Sequence, residues 1–265
     1  MISAGDDITA VARRLLDHRA RRVALPLDGG NLSVPDMDRA YAIQEAAEAI
    51  LRDEQGVRAV GYKIAGTNPA ARAHLKIDAA FHGRLYDRQV SSSPARLTFL
   101  SDFFRVYEPE IALEIGETLD PATGPFDAAR IEATTRAVRP AIEIIGTHLV
   151  PWTQAGAPNL AADNAAFGHW IVGAPVSDWS RLDLLDGPVT LSVNGAVVAT
   201  GKGRNVDGGA FGAAAELANT LAARGRRLAA GDFITTGSVT TPVPVAAGQA
   251  VVADFGPLGR VELAL

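Results

Sequence analysis

The stretch "RVYEPEIALEIG", from Arg105 to Gly116, carries three acidic residues inside a segment that otherwise has the composition of a buried strand. Successive side chains of a strand alternate between its two faces, so Glu108, Glu110 and Glu114 are predicted to share one face. An ionised carboxylate is costly to bury unless a cation, a proton or hydrogen bonds compensate it. The row therefore predicts either a solvated acidic face or a buried site that holds positive charge.

A further acid, Glu143 in "PAIEIIG" (residues 140–146), lies among isoleucines in a second strand-like segment. Two carboxylates at positions i and i+2 of one strand and a third from another strand suit a hard divalent cation such as Mg²⁺. The spacing leaves open whether the three form one metal site or are separate structural acids. Glu114, farther along the first strand, is expected at the rim of such a site or in a structural role.

Lysine and amide side chains offer candidate partners for these acids. Lys63 in "GYKIAG" either reaches water along its aliphatic stem or lies near the carboxylates, where it binds an anionic substrate or exchanges a proton. Asp163 and Asn164 in "LAADNAAFG" predict either a turn whose side chains bond to the backbone or part of a polar site wall.

Composition excludes several classes of protein. The 265 residues are 48% apolar and 21% charged, as in an ordinary globular chain. The net charge of −5 and the lack of a basic block argue against a nucleic-acid partner. No apolar run approaches the roughly 18 residues of a membrane span, and no signal-peptide core precedes the first helix, so we expect no membrane partner and a cytoplasmic location. The absence of cysteine excludes disulfides, thiolate metal sites and a cysteine nucleophile.

The order of predicted elements indicates an α+β chain. One helix begins near Asp6 or Asp7, and a second is capped by Asp36 and ends before Gly56. Nine short strand-like segments follow, with helices at about 68–75, 126–138 and 210–224. The Asn194-Gly195 pair predicts a two-residue hairpin. We predict a single structural unit made of an N-terminal helical arm (residues 1–56) and a β-rich catalytic domain (residues 57–265).

Five segments in order resemble the 2-oxopent-4-enoate (2-keto-4-pentenoate) hydratase and 2-oxo-3-hexenedioate decarboxylase family of the fumarylacetoacetate hydrolase superfamily. They are "GYKIAGT", "EPEIALEIG", "PAIEIIGTHLVPW", "LAADNAAFG" and residues 217–265, and the likeness covers nearly the whole chain. The resemblance implies a mixed β-roll like the C-terminal domain of fumarylacetoacetate hydrolase, with the helical arm packed against it. It also implies a homo-oligomer.

By this resemblance Glu108, Glu110 and Glu143 match divalent-metal ligands for Mg²⁺ or Mn²⁺, and Lys63 matches the active-site lysine. The implied function is a hydratase of aromatic-compound degradation that adds water to a short 2-hydroxy-2,4-dienoate or 2-oxo-enoate and gives a 4-hydroxy-2-oxo acid. A small 2-oxo acid is thus the expected partner. Decarboxylation of a 2-oxo-3-enedioate uses the same ligands and is the first alternative. Hydrolysis of an acylpyruvate and a non-catalytic scaffold or binding role are the others.

Substrate contacts are expected from Lys63, Asp163, Asn164 and Ala166, and here the chain departs from the family. Ala166 stands where many hydratases carry a substrate-binding serine. The segment "VDGGAFG" (residues 206–212) replaces a sequence like "LGHPLN", and "DAAFHG" (residues 78–83) lacks the usual proline. These changes leave the identity of the substrate open.

Overall fold

The computed structural model describes residues 7–27 and 32–265. Six α-helices lie in these ranges: α1 (Ile8–Arg21), α2 (Met37–Gln55), α3 (Pro69–Leu75), α4 (Ala128–Thr134), α5 (Gly156–Ala162) and α6 (Gly209–Ala223). None of these helices combines the length and apolar character needed to cross a membrane.

The same ranges contain fifteen strands. They are β1 (Leu25–Pro26), β2 (Ala59–Ala65), β3 (Phe81–Tyr86), β4 (Val90–Ser92), β5 (Ala95–Arg96), β6 (Phe104–Ile115), β7 (Thr135–Gly146), β8 (Leu149–Val150), β9 (Phe167–Val172), β10 (Pro188–Val193), β11 (Ala196–Lys202), β12 (Phe233–Ser238), β13 (Val243–Pro244), β14 (Ala250–Asp254) and β15 (Arg260–Ala264).

Both N-terminal helices begin at predicted capping residues, and the second ends at the predicted glycine. The Asp7 carboxylate accepts a hydrogen bond from Ala10 N before α1, and Asp36 accepts one from Arg39 N before α2. Gly56 ends α2 in the left-handed conformation, with φ of 65°. The alternative start at Asp6 lies outside the described residues.

The apolar faces of the arm pack against later parts of the chain. Val11 and Leu15 of α1 and Ile43 of α2 share one buried cluster with Ile145 of β7 and Leu160 of α5. The division of the chain at residue 56 stays a prediction, since the arm and the β-rich part bury their apolar surface together.

A large sheet forms the centre of the molecule, with strands in the order β3-β2-β12-β6-β7-β9-β4 and with β13 paired to β6. One of its faces carries Ile111, Leu113 and Ile142 into the main hydrophobic cluster. That cluster also contains apolar residues of α6 and of a second sheet, ordered β11-β10-β14-β15-β5. The opposite face of the large sheet carries Glu108 and Glu110.

The predicted hairpin is confirmed in the second sheet. Strands β10 and β11 pair antiparallel around Asn194 and Gly195, whose φ angles are 51° and 83°. Both residues therefore adopt the left-handed conformation that a tight hairpin requires.

The helix predicted over residues 126–138 is too long. The helix α4 ends at Thr134, and β7 begins at Thr135 because this segment pairs with β6, where Val138 lies opposite Leu113. Long-range pairing of twelve-residue strands overrides the local helical pattern. Strand β3, at one edge of the large sheet, is not among the nine strand-like segments that the sequence predicts.

We predict that Gly61→Ala destabilises the fold severely. Gly61 has φ of 154°, and a Cβ atom there would overlap the carbonyl oxygen of Phe233 in the neighbouring strand β12. The free energy of unfolding should fall by about 3 kcal/mol or more, measured by chemical denaturation.

Gly56→Ala is the matched control. Gly56 also has positive φ, but a Cβ atom there would meet nothing within 4 Å, so only about 1 kcal/mol should be lost. Equal losses in the two variants would contradict the close approach of β2 and β12.

Candidate metal centre

Strand register brings the three predicted ligands together. Glu108 of β6 lies directly opposite Glu143 of β7, and Glu110 lies two residues along β6, opposite Ser238 of β12. One carboxylate oxygen from each of Glu108, Glu110 and Glu143 lies within 4.8 Å of the others. Glu110 and Glu143 are fully buried and Glu108 is partly exposed, so the row of acids faces an enclosed site.

Lys63 supplies positive charge to this site. Its Nζ atom lies 3.0 Å from Glu143 Oε1, and both side chains are almost completely buried, at 1% and 0% exposure. The same Nζ donates a hydrogen bond to the carbonyl oxygen of Ala165 at 2.9 Å. The Lys63 ammonium therefore does not reach water and instead pairs with the Glu143 carboxylate.

Glu110 is oriented by a chain of hydrogen bonds. Its Oε2 accepts bonds from Thr235 Oγ1 and from Gly237 N, the second at 2.9 Å. Trp170 Nε1 donates to Thr235 Oγ1 at 3.2 Å and so fixes the hydroxyl. Partners of this kind hold a metal ligand in one orientation.

Two carboxylate oxygens in the site stay without a partner. Across the described ranges, no donor forms a hydrogen bond with Glu110 Oε1 or Glu143 Oε2, although both atoms are buried. Buried polar atoms are normally paired, and an unpaired one needs a physical reason. An ion bound between the carboxylates would supply that reason.

The charge of the site fits a divalent cation. When all three carboxylates are ionised, one ammonium leaves an excess of two negative charges, which is the charge that such an ion neutralises. Carboxylate oxygens are also the ligands that Mg²⁺ and Mn²⁺ prefer. The residues present therefore fit the metal.

Burial raises the pKa values of the three carboxyl groups, and the crowding of negative charge raises those of Glu110 and Glu143 further. Burial, and next the charge of Glu108, raise the pKa of Glu110 to about 7. Burial also raises the pKa of Glu143 well above its ordinary value, against the opposing charge of Lys63. Burial raises the pKa of Glu108 in the same way. Protons thus compete with a cation for these oxygens.

Glu114 has a structural role, as its position along β6 indicated. Its carboxylate pairs with Arg136 and, at 2.9 Å, with Arg139. Burial would raise the pKa of Glu114, but the hydrogen bonds from both arginines outweigh it and lower the pKa.

The structure places Asp163, Asn164 and Ala166 in one segment that reaches Lys63 through its backbone. Asp163 is buried, and its carboxylate accepts bonds from Arg19 Nε at 2.7 Å and from Thr147 Oγ1 at 2.6 Å. The Asn164 amide bonds to the backbone of Arg84 on β3, which is distant in the chain, and not to the adjacent backbone as in a simple turn. Ala166 is buried.

Thr235, Gly237 and Trp170 are site residues that sequence reasoning missed. The alternation of "DFITTG" places Thr235 and Gly237 on one face of a strand, but nothing local indicates that this strand lies beside β6. Trp170 lies opposite Glu143 across β7 and β9, which is also a long-range pairing.

Histidines take no part in the carboxylate group found in the described ranges. His82 stacks on Tyr41 with ring centroids 4.3 Å apart, and burial, followed by nearby arginine charge, lowers its pKa to about 3. Burial lowers the pKa of His169 to about 4. Both imidazoles are therefore neutral near pH 7.

The sequence is similar to curated enzymes over most of its length. It is 32% identical over 231 residues to a 4-oxalocrotonate decarboxylase from Pseudomonas sp. (strain CF600), covering 86% of each chain. It is 31% identical over 266 residues to a 2-keto-4-pentenoate hydratase from Burkholderia vietnamiensis (strain G4 / LMG 22486), covering 98% of each. No protein-family model matches the chain.

The fold is similar to that of a solved enzyme complex. The 4-oxalocrotonate decarboxylase from Pseudomonas putida G7, complexed with magnesium and adipate, superposes with a TM-score of 0.88 at 25% identity, covering 97% of this chain and 96% of that one. Solved structures below 20% identity that share the fold include fumarylacetoacetate hydrolase family proteins. The predicted α+β fold of that superfamily is confirmed.

We predict that Glu110→Gln stabilises the metal-free protein and removes its response to Mg²⁺. The amide eliminates one buried negative charge while its oxygen still accepts from Thr235 and Gly237. At pH 8, in chelator, the midpoint of thermal unfolding should rise by about 2–4 °C, the shift that roughly 1 kcal/mol produces in a chain of this size. Added Mg²⁺ should no longer raise the midpoint.

Glu114→Gln, on the same strand, is the control for that variant. It leaves Arg136 and Arg139 without their carboxylate, so the midpoint should fall while the Mg²⁺-induced rise persists. A Glu110→Gln protein that melts lower in chelator yet still responds to Mg²⁺ would contradict the site.

A second prediction concerns acid stability. The folded-state pKa of His82, about 3, lies below its ordinary value of 6.5, so the unfolded chain binds the proton more tightly. The stabilisation is complete above pH 6.5 and is lost as pH falls towards 3, by about 1.4 kcal/mol per pH unit. His82→Phe keeps the stacking on Tyr41, and the slope of unfolding free energy between pH 6.5 and 4.5 should be shallower than in wild type. An unchanged slope, or the same change in the exposed-site variant His74→Phe, would refute this account.

Proposed function

This chain belongs to the family of 2-keto-4-pentenoate hydratases and 4-oxalocrotonate decarboxylases, and we propose that it is a divalent-metal-dependent hydratase of that family. Its substrate would be a short 2-hydroxy-2,4-dienoate or 2-oxo-enoate from aromatic-compound degradation, and its product a 4-hydroxy-2-oxo acid. The observation that carries the proposal is the group of three carboxylates and one ammonium, in which only Glu108 is partly exposed and which carries two excess negative charges when ionised.

Glu108, Glu110 and Glu143 would hold Mg²⁺ or Mn²⁺. When bound, such an ion acts as a Lewis acid toward the oxygens of a 2-oxo acid. The protein contributes a rigid ligand set, since Thr235 and Gly237 fix Glu110 and the β6–β7 register fixes Glu108 against Glu143. Burial of Glu110 and Glu143 excludes bulk water from this side of the site.

Lys63 would act on the substrate directly. Two of its three N–H groups face Glu143 and the carbonyl oxygen of Ala165, which leaves one for a ligand. That group either neutralises the substrate carboxylate or moves a proton during the addition of water. We further propose that the segment with Asp163, Asn164 and Ala166 forms the substrate-site wall beside Lys63.

We further propose that the distal part of the substrate lies in a cavity of about 270 Å³, whose lining would favour the hydratase over the decarboxylase. The cavity is lined by parts of both segments that depart from the family pattern, and its wall includes Thr67, which packs on Gly237. Arg72 is the cation of the lining and is already paired with Asp207 at 2.9 Å, whereas Asp78 and Glu216 add negative charge. A substrate whose far end carries a second carboxylate would meet like charge here.

Decarboxylation of a 2-oxo-3-enedioate is the second candidate. A relative named for that reaction is as similar in sequence as one named for the hydratase, and the metal ligands would serve both reactions.

We also propose a cytoplasmic homo-oligomer that binds a small 2-oxo acid, as the family resemblance implies. A monomer in light scattering would refute the oligomer.

An ultraviolet assay of chelator-stripped protein tests the function. The protein is given 2-hydroxypenta-2,4-dienoate and 2-oxo-3-hexenedioate in parallel, with and without Mg²⁺ or Mn²⁺, and products are identified by mass. Metal-dependent gain of water supports the hydratase, and loss of carbon dioxide supports the decarboxylase. Turnover of neither substrate by metal-loaded protein would reject both.

We predict that Lys63→Met separates catalysis from metal binding. Turnover should fall at least about 100-fold, because the positioned N–H groups are lost. Affinity for Mg²⁺, measured by calorimetry, should stay equal or rise, because a positive charge 3.0 Å from Glu143 disappears. Loss of metal binding in this variant would assign the lysine a structural role instead.

A further inference from the structure

The segment beside Lys63 has an unusual backbone. Asn164, Ala165 and Ala166 have φ angles of 54°, 52° and 55°, so three consecutive residues other than glycine adopt the left-handed conformation. Asparagine tolerates this conformation, but alanine has no side-chain group that compensates for it. Strain of this kind persists only where surrounding contacts impose it, and it is frequent at functional sites.

The left-handed turn delivers one atom to the candidate site. The carbonyl oxygen of Ala165 accepts the hydrogen bond from Lys63 Nζ at 2.9 Å. The other neighbour of Nζ is Glu143, which is also a candidate metal ligand. Ala165 O would therefore remain hydrogen-bonded to the lysine when Glu143 coordinates a cation.

The Asn164 side chain holds the turn in place. Its Oδ1 accepts a hydrogen bond from Arg84 N at 2.7 Å, and its Nδ2 donates one to Arg84 O at 3.0 Å. Arg84 lies on β3, an edge strand of the large sheet. The amide thus pairs with the edge strand as the backbone of a further strand would.

Gly83 makes room for the turn. It lies directly opposite Lys63 in the pairing of β2 with β3. A Cβ atom at Gly83 would lie 2.5 Å from the carbonyl oxygen of Asn164 and 3.0 Å from the Ala165 side chain. Only glycine at this position allows the turn to pack against β3 beside Lys63.

We propose that Asn164 and Gly83 are positioning residues for Lys63. They hold the left-handed turn on the edge strand, so that Ala165 O fixes the ammonium and directs its remaining N–H toward the substrate. This gives Asn164 a role through its backbone clamp rather than through contact with the substrate. The inference rests on the proposed function, which assigns Lys63 its part in turnover.

Asn164→Ala, compared with Asn194→Ala, is the first test. Asn194 has the same backbone conformation, with φ of 51°, and its Oδ1 accepts from Ala250 N at 2.8 Å, but it lies in the β10–β11 hairpin. Asn164→Ala should lower kcat by about 10- to 100-fold, with the affinity for Mg²⁺ unchanged within about twofold. Asn194→Ala should leave kcat unchanged. Equal kcat in the two variants would overturn the proposal.

A double variant shows whether Asn164 acts through the lysine. In the Lys63→Met background, Asn164→Ala should cause no further loss of activity, because the group that it positions is absent. A further loss by the full factor seen in wild type would mean that Asn164 acts on the fold and would overturn the proposal.

Amine labelling followed by mass spectrometry tests the same idea without turnover. The chain has three lysines, and Lys63 is buried whereas Lys76 and Lys202 reach solvent. Asn164→Ala should raise the labelling rate of Lys63 at least about tenfold and leave the other two lysines unchanged. Gly83→Ala should do the same, and Asn164→Asp, which keeps one of the two bonds to Arg84, should give a smaller rise. Protection of Lys63 equal to wild type in all three variants would overturn the proposal.

The two readouts separate the two hypotheses. Wild-type protein that turns over neither 2-oxo-enoate, together with faster labelling of Lys63 in the variants, would reject the proposed function and support the positioning role. Turnover by wild-type protein, together with unchanged labelling of Lys63 in the variants, would support the proposed function and reject the positioning role. Circular dichroism of each variant confirms that the change is local.

Discussion

The concentration of negative charge between β6 and β7 is the constraint on which the rest of the site depends. Three carboxylates share a space that largely excludes water, and Lys63 neutralises only one of them. Such an arrangement is unfavourable unless another positive charge enters or protons bind, as the raised pKa of Glu110 indicates. The chain from Trp170 through Thr235 to Glu110, and the left-handed turn at Lys63, hold these charges in fixed places.

Strand β6 shows two ways to bury an acid. At one end, Glu114 is neutralised by two arginines within the protein, and the pair is complete without a ligand. Toward the other end, Glu108 and Glu110 have no arginine partners within the described residues, and the deficit of positive charge makes this part of the strand a candidate cation site. The strand register keeps all three acids away from the main hydrophobic cluster, because a slip of one residue would turn every acid of β6 into that cluster on the opposite face.

The same centre can serve the two reactions for which the relatives are named, so the metal ligands do not distinguish hydration from decarboxylation. Under the proposed function, the distinction lies with the residues around the distal part of the substrate. Residues 78–80 and 207 of this chain contribute to one cavity, whose lining contains the acids Asp78, Asp207 and Glu216 and one cation, Arg72. The segment with Asn164 and Ala166 is held on β3 by the two Asn164–Arg84 bonds and lies beside Lys63.

Local patterns in the sequence determined the elements that depend on near neighbours. The caps of α2 at Asp36 and Gly56, the hairpin at Asn194 and Gly195, and the shared face of the acids on β6 all follow from a few adjacent residues. The family resemblance added the grouping of Glu143 and Lys63 with those acids. Tertiary structure alone decided that residues 135–138 join a strand, that arginines neutralise Glu114, and that Thr235 and Asn164 support the site. These outcomes depend on which strands become neighbours, and that is settled by pairing between segments distant in the chain, which no local pattern encodes.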